Sequence, residues 1–328
     1  MKHRKRQDIV IHSILFSILF LTMLPFVFVV NNSLRSNTEI YHAFFGFPNC
    51  IRDMTRFTIW HMQNKDDLIM LKMPTDSEKT ESVRAADVPA RKVPYDEAMS
   101  HLWKETTKGY RYSWLVLRPY MVNTIFVCII TMLGVVTIGS ISGYIFSRYK
   151  FPGNRFLFLI ILSFMMIPHV LTLVPSFLLV KRLGMLNSYW VLILPSIAGG
   201  QVFAIFLFKG FFDGLPEALF ESARLDGAGY FDLYWHIVLP LSKQVVAVVM
   251  VITILGTWNN FLWPFITNSD AKYHVVASGL YLMGQSQVAS NFSTMFAAYI
   301  LSSIPLLILF VYATKPFMQG VTSGAFKA

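Results

Sequence analysis

The sequence predicts an all-α membrane protein with six transmembrane helices, both termini on the cytoplasmic side, and a long external insertion between the first two helices. Three observations carry this. Only 14% of the 328 residues are charged and 55% are hydrophobic, with a mean hydropathy of +0.52, whereas about a quarter of a soluble domain is charged. Six uncharged runs each reach the length of about 20 residues that a helix needs to cross a bilayer core while satisfying its own backbone. Finally, Lys and Arg collect on one side of those runs, as retention of basic residues in the cytoplasm requires.

The runs cover residues 9–30, 121–146, 156–180, 189–208, 245–266 and 296–313, and none contains Asp, Glu, Lys or Arg. The first follows Lys2, Arg4, Lys5 and Arg6 but outlasts the roughly 7–15 apolar residues of a signal core and lacks a small-residue cleavage site, so it reads as an uncleaved span. With the N-terminus inside, cytoplasmic segments carry twelve Lys and Arg and the short external loops three, Lys181, Arg182 and Lys272. The other thirteen lie in the long segment after the first run, and long segments translocate largely regardless of charge. The net charge of +10 thus reports topology and predicts no nucleic-acid partner. Cys50 and Cys128 have no metal-ligand or redox spacing, so neither a metal site nor a disulfide is expected.

The organisation follows: residues 1–30 as the cytoplasmic N-terminus and first helix, 31–118 as the external insertion, and 119–328 as a five-helix core with a cytoplasmic loop at 213–241. Residues 66–97 are polar and of mixed charge without clear period, so the insertion is expected to be loop-rich with one short helix around 95–108. A contact surface and a passive insertion are equally compatible with it.

The loop is the most informative stretch. Pro216 suits a first helical turn and Asp226-Gly227 a stop, giving a short helix at about 216–225. Glu217, Glu221 and Arg224 share one face, Leu219, Phe220 and Ala223 another, and a helix this short needs a partner surface. Small residues keep it slim enough for a groove, and the aromatics of 230–237 are expected to anchor it beneath the helices.

Glu221-Ser222-Ala223, then Gly227, then Ile237-Val-Leu239-Pro240 resembles the cytoplasmic signature of the inner-membrane permeases of binding-protein-dependent ABC importers, with every spacing kept and Ser222 in place of the central alanine. Tyr149-Lys-Phe-Pro-Gly153, Met166-Ile-Pro168, Leu183-Gly-Met-Leu-Asn187, Trp258-Asn-Asn-Phe-Leu-Trp-Pro264 and the tail from Gly320 narrow the likeness to the carbohydrate-uptake branch, and to the smaller permease subunit of maltose-type transporters. This covers residues 115–328; residues 40–100 have no assignable counterpart. The resemblance implies a subunit of the bacterial inner membrane that passes a sugar delivered by an external binding protein. It pairs with a second permease and docks through Glu217, Glu221, Ser222, Ala223, Asp226, Gly227, Ile237, Leu239 and Pro240 onto two ATP-binding subunits. The alternative cargo is glycerol phosphate or another polyol derivative.

No G-x-x-x-x-G-K-[ST] loop occurs, so ATP and Mg belong to the partner, and this chain is expected to bind no cofactor and to catalyse nothing. A membrane-embedded enzyme would need nucleophile or metal-ligand constellations that are missing; a passive channel would not need the loop. Uncharged polar residues in the spans are candidates for a sugar path: Asn123, His169, Gln201, Trp258, Asn259, Asn260, Tyr299, Ser302 and Ser303. Interhelical packing is the commoner role for any one of them, and the role expected for Gly139-x-x-x-Gly143. Gly284, Gln285 and Gln287 occupy the position where the family probes its binding protein.

Overall fold

The computed structural model describes residues 2–64, 68–72, 90–286 and 291–325. It divides into two compact units, Met1–Val116 with Leu282–Leu301, and Leu117–Tyr281 with Ser302–Ala328.

The first unit begins with α1 (Lys2–Ser33), whose apolar window is nowhere buried. After it, α2 (Asn37–His42) starts on a capping box in which Ser36 and Glu39 satisfy each other's backbone N–H groups. Arg35, only 2% exposed, fixes this turn: its guanidinium donates to the Asn32 side chain at 2.7 Å, to the carbonyls of Phe44 at 3.0 Å and Glu39 at 2.6 Å, and to that of Ala43. The insertion is more ordered than its sequence suggested. It contains α3 (Asn49–Asn64) and an antiparallel pair, β1 (Leu68–Lys72) and β2 (Ala90–Pro94), in which Ile69 faces Val93. The protein is therefore mainly helical rather than all-α. The expected short helix is α4 (Tyr95–Thr106). Ile69, Val93 and Ala98 form a small core with Phe57, Trp60, Leu71 and Tyr95; Tyr95 also stacks on His61 at 4.3 Å.

Four helices are long and apolar enough to cross a membrane among the described residues: Ile11–Ser33 within α1, α5 (Lys108–Arg148), α8 (Trp190–Asp213) and Phe292–Thr314. The last belongs to α14 (Phe292–Ala325). At 1.5 Å per residue α5 is about 60 Å long, twice a bilayer core, so it starts well before the apolar run that marks it.

The other two expected spans are not single helices. The run 156–180 bends by 99° between Asn154–Met166 and His169–Arg182. Pro168 has no N–H to continue the helix and pushes the residue before it out of the helical region, and Ile167 is extended, with φ −81° and ψ 115°. The two α-helical pieces are α6 (Asn154–Ser163) and α7 (His169–Arg182). The run 245–266 is likewise interrupted: α11 (Lys243–Trp258) stops at Asn259, and α12 (Leu262–Thr267) follows. Pro264 offers no N–H to the carbonyl of Asn260, which removes one of the bonds a continuous helix would make across the break. A piece preceding α11, α10 (Tyr230–Leu241), meets it at 76°.

Within the second unit α5 packs on α8 through small residues. A Cβ on Gly139 would lie 2.7 Å from Ala204 Cβ, and one on Gly143 2.6 Å from Phe208 Cβ; neither fits, so glycine sets the close approach. Asn187, at φ 53°, ties the end of this layer together: its Oδ1 accepts from the backbone of Ser269 at 2.7 Å and of Asp270 at 3.1 Å.

Candidate coupling site and membrane cavity

The loop helix is α9 (Glu217–Leu225), preceded by Pro216. It stops as glycine chemistry dictates: Gly227 takes φ +85°, its N–H reaches the Arg224 carbonyl at 3.1 Å, and the Ala228 N–H reaches that of Ala223 at 2.9 Å. These two bonds satisfy carbonyls that a helix end would leave unpaired. Phe220 is fully buried, in one core with Phe208, Phe212, Leu233, Tyr234 and Val238. The opposite face is open. Glu221, Ser222, Asp226 and Gly227 are exposed, and Leu225 is 89% exposed.

The second half of the loop is α10, whose start is capped by Asp232 accepting the Gly229 N–H at 3.0 Å and whose residues Leu233–Val238 form a π-helix. Only part of its aromatic bulk is an anchor. Tyr234 is buried and hydrogen-bonds Ser140 at 2.7 Å, while the Tyr144 hydroxyl donates to the Tyr230 carbonyl at 3.3 Å. Tyr230, Phe231 and Trp235 keep more than half of their surface exposed. Of the signature positions on α10, Ile237 and Leu239 are half-buried and Pro240 is exposed.

The charged residues around α9 form a network that composition could only count. Arg148, the last residue of α5, donates to Glu217 Oε2 at 2.6 Å, and Arg224 donates to Glu217 Oε1 at 3.3 Å. Asp213 at the end of α8 accepts from Lys209 at 2.6 Å and from Ser147 at 2.7 Å. Glu221 enters no such bond among the described residues. Arg148 was visible in the sequence only as one basic residue among twelve; its adjacency to the Tyr149–Gly153 motif was the available signal.

A cavity of about 840 Å³ opens between α5, α7, α8 and α11. It brings together two path candidates, His169 at the start of α7 and Asn260 after α11, with Thr131, Thr172, Ser176 and Thr257, which the sequence alone does not single out; no Asp, Glu, Lys or Arg lines it among the described residues. Thr131 is 1% exposed, and its buried hydroxyl has no hydrogen-bond partner among the described residues.

The remaining candidates stand elsewhere. Asn123 is spent on a loop: it donates to the carbonyls of Lys272 and His274, both at 2.8 Å, and accepts from Tyr189 at 2.8 Å. Gln201 reaches toward the Gly134 carbonyl at 3.5 Å. Trp258 is buried at the end of α11, and Asn259 bonds back to Leu255 at 2.9 Å. Tyr299, Ser302 and Ser303 lie on α14, Ser302 buried. Gly284 and Gln285 form the last turn of α13 (Val276–Gln285); Gln287 lies outside the described residues. Between α12 and α13, His274 is 5% exposed and 3.2 Å from the Ser278 hydroxyl. Burial holds its imidazole below its ordinary range, against the opposing pull of Asp270.

The long apolar helices and the bent pairs are those of a helical membrane protein. Residues 135–322 match the family described as binding-protein-dependent transport system inner membrane component, and the chain belongs to it. It is a multi-pass permease subunit, with ATP hydrolysis residing in a separate subunit. The chain is 30% identical to the diacetylchitobiose uptake system permease protein NgcG of Streptomyces coelicolor over 63% of its own length and 69% of that protein's. It is 35% identical to the sn-glycerol-3-phosphate transport system permease protein UgpE of Yersinia enterocolitica, over 58% and 68%. Its fold is similar to a chain of a bacterial ABC transporter that imports the acidic polysaccharide alginate, with a TM-score of 0.64 and 17% identity over 96% of this chain and 98% of that one. That likeness takes in most of the insertion, for which sequence resemblance offered no counterpart.

Proposed function

We propose that this chain carries a sugar or oligosaccharide, handed over by an external binding protein, across a bacterial inner membrane. In this reading α6 with α7 and α11 with α12 each count as one interrupted span, giving six with both termini in the cytoplasm, and a second permease completes the pathway. The loop 213–241 then lies inside, and α9 docks in a cleft of one of two ATP-binding subunits that use ATP and Mg.

The observation that carries the reading is the loop: at the family's spacing it offers a folded helix whose inner face is locked by Phe220 and whose outer face presents Glu221, Ser222 and Leu225. Glu221 is the residue assigned to a basic group of the ATPase. An exposed leucine and three exposed aromatics beside it are the composition of a binding surface rather than a solvated one. The helical tail to Ala325 is a second, lesser contact. Gly284, Gln285 and Gln287 are assigned to the binding protein.

The cargo is read from the cavity. Hydroxyl, amide and imidazole groups between apolar walls suit sugar hydroxyls and ring faces, and a lining without Asp, Glu, Lys or Arg among the described residues supports an uncharged polyol over a phosphate, whose charge is costly to desolvate unpaired. The likeness to UgpE keeps glycerol phosphate as the second reading. Two measurements test the proposal. Affinity-tagged complex carrying Glu221→Lys is expected to lose its ATP-hydrolysing subunits, and retention of both would refute the docking role. Proteoliposomes with the complex and its binding protein are expected to import a labelled oligosaccharide; import of glycerol 3-phosphate instead reverses the cargo assignment.

A further inference from the structure

We propose that Arg148 is a positioning residue for energy coupling, latching the docking helix α9 to the end of α5 through Glu217, so that Glu217 serves an internal contact and only Glu221 faces the ATPase. This rests on the docking reading above and assigns the two acids of α9 opposite roles.

The geometry is specific. Only 8% of the Arg148 side chain is exposed, against 51% of Glu217. One guanidinium nitrogen meets Glu217 at 2.6 Å. A second guanidinium nitrogen donates to the carbonyl of Leu215 in the linker at 2.8 Å and to that of Phe212 near the end of α8. The guanidinium carbon sits 4.1 Å from the ring centroid of Phe220. One side chain thus grips the end of α8, the linker, the first residue of α9 and its buried anchor. Lysine cannot reproduce this, because an ammonium has no planar fork to divide between a carboxylate and two carbonyls.

The two bonds on Glu217 occupy both its oxygens, while Glu221, one turn along, keeps both of its own. A force on α9 then reaches α5 through a charge-assisted bond whose guanidinium end is buried and whose carboxylate end is half-exposed, a directional contact. Without the latch, the apolar grip of Phe220 remains and α9 can still dock, but it can rock against α5 without moving it. The expected defect is uncoupling rather than disassembly.

The test uses the whole complex in proteoliposomes with its binding protein, measuring solute imported and ATP hydrolysed together, for Arg148→Lys and Glu217→Gln. Glu217→Gln is nearly isosteric and half-exposed, so it decides the matter even where an Arg148 variant folds poorly. Its expected result is an unchanged subunit composition with import per ATP reduced about twofold or more. An unchanged ratio overturns the latch. So does loss of the ATPase from the complex, which makes Glu217 a docking contact. The two readings fail separately: if Glu221→Lys leaves the ATPase bound, docking is wrong, whereas if it strips the ATPase while Glu217→Gln keeps the wild-type ratio, only the latch is wrong.

Discussion

Asn123 and His274 sit on the two sides of one contact. The amide of Asn123 holds the backbone of Lys272 and His274 against α5, with Tyr189 closing the third bond. Removing it leaves two buried carbonyls unpaired, so Asn123→Ala is expected to destabilise the purified protein by about 1–3 kcal/mol, read as a lower thermal midpoint with cargo preference unchanged. A shift in cargo preference would return Asn123 to the transport path. His274 makes the same joint sensitive to acid. Its folded pKa is depressed by burial, so the unfolded chain binds the extra proton and stability falls as pH drops below the ordinary imidazole value of about 6.5. Above that value the imidazole is neutral in both states and the contribution is constant. A drop of about 2–4 °C in midpoint for each kcal/mol lost is expected between pH 8 and pH 5, and His274→Asn is expected to flatten it. Sequence could nominate Asn123 as a polar group inside a span, but a path residue and a packing residue share the same chemistry. Only the partners around it separate them. Arg148 was illegible for the same reason: nothing in its neighbourhood announces that Glu217, sixty-nine positions on, lies beside it.

Elements were legible where a local rule fixes them. The small residues at 139 and 143 mark a face that must approach another backbone, and Ala204 and Phe208 meet it. Gly143→Leu is expected to force α5 from α8 and to cost at least the 1–3 kcal/mol typical of overpacking, about what a thermal-shift assay resolves easily. A fully stable variant would show that the contact yields freely. Pro216, Asp226 and Gly227 set the limits of α9 within a residue. The bends were harder. Hydropathy counts apolar residues without regard to direction, so residues 156–180 read as one helix although Ile167-Pro168 turns the chain by 99°. Pro168→Ala is expected to straighten this segment, moving His169 relative to Thr131 and lowering import while leaving assembly intact. The pair Leu68–Lys72 and Ala90–Pro94 escaped notice because each strand has five residues and turns only two of them inward. Its signal exists only once the two are side by side.

At the scale of the molecule, the proposed transport cycle depends on where the outer face of α9 points in an apolar chain of broken and continuous helices. The family, the loop helix and its ends followed from spacing. The cavity did not, because its hydroxyls come from four separate helices with no pattern along the chain. In the proposed docking, the outer face of α9 meets an ATP-hydrolysing subunit. Site-directed cross-linking in intact membranes tests it most directly, using Leu225→Cys in a chain whose own thiols, the buried Cys128 and the half-buried Cys50, are replaced by serine. The expected result is a cross-link to the ATP-hydrolysing subunit that a Cys placed at Phe231 also gives and one at Leu68 does not. Cross-linking of residue 225 to the external binding protein, or labelling of it by a membrane-impermeant reagent from outside, would contradict the account.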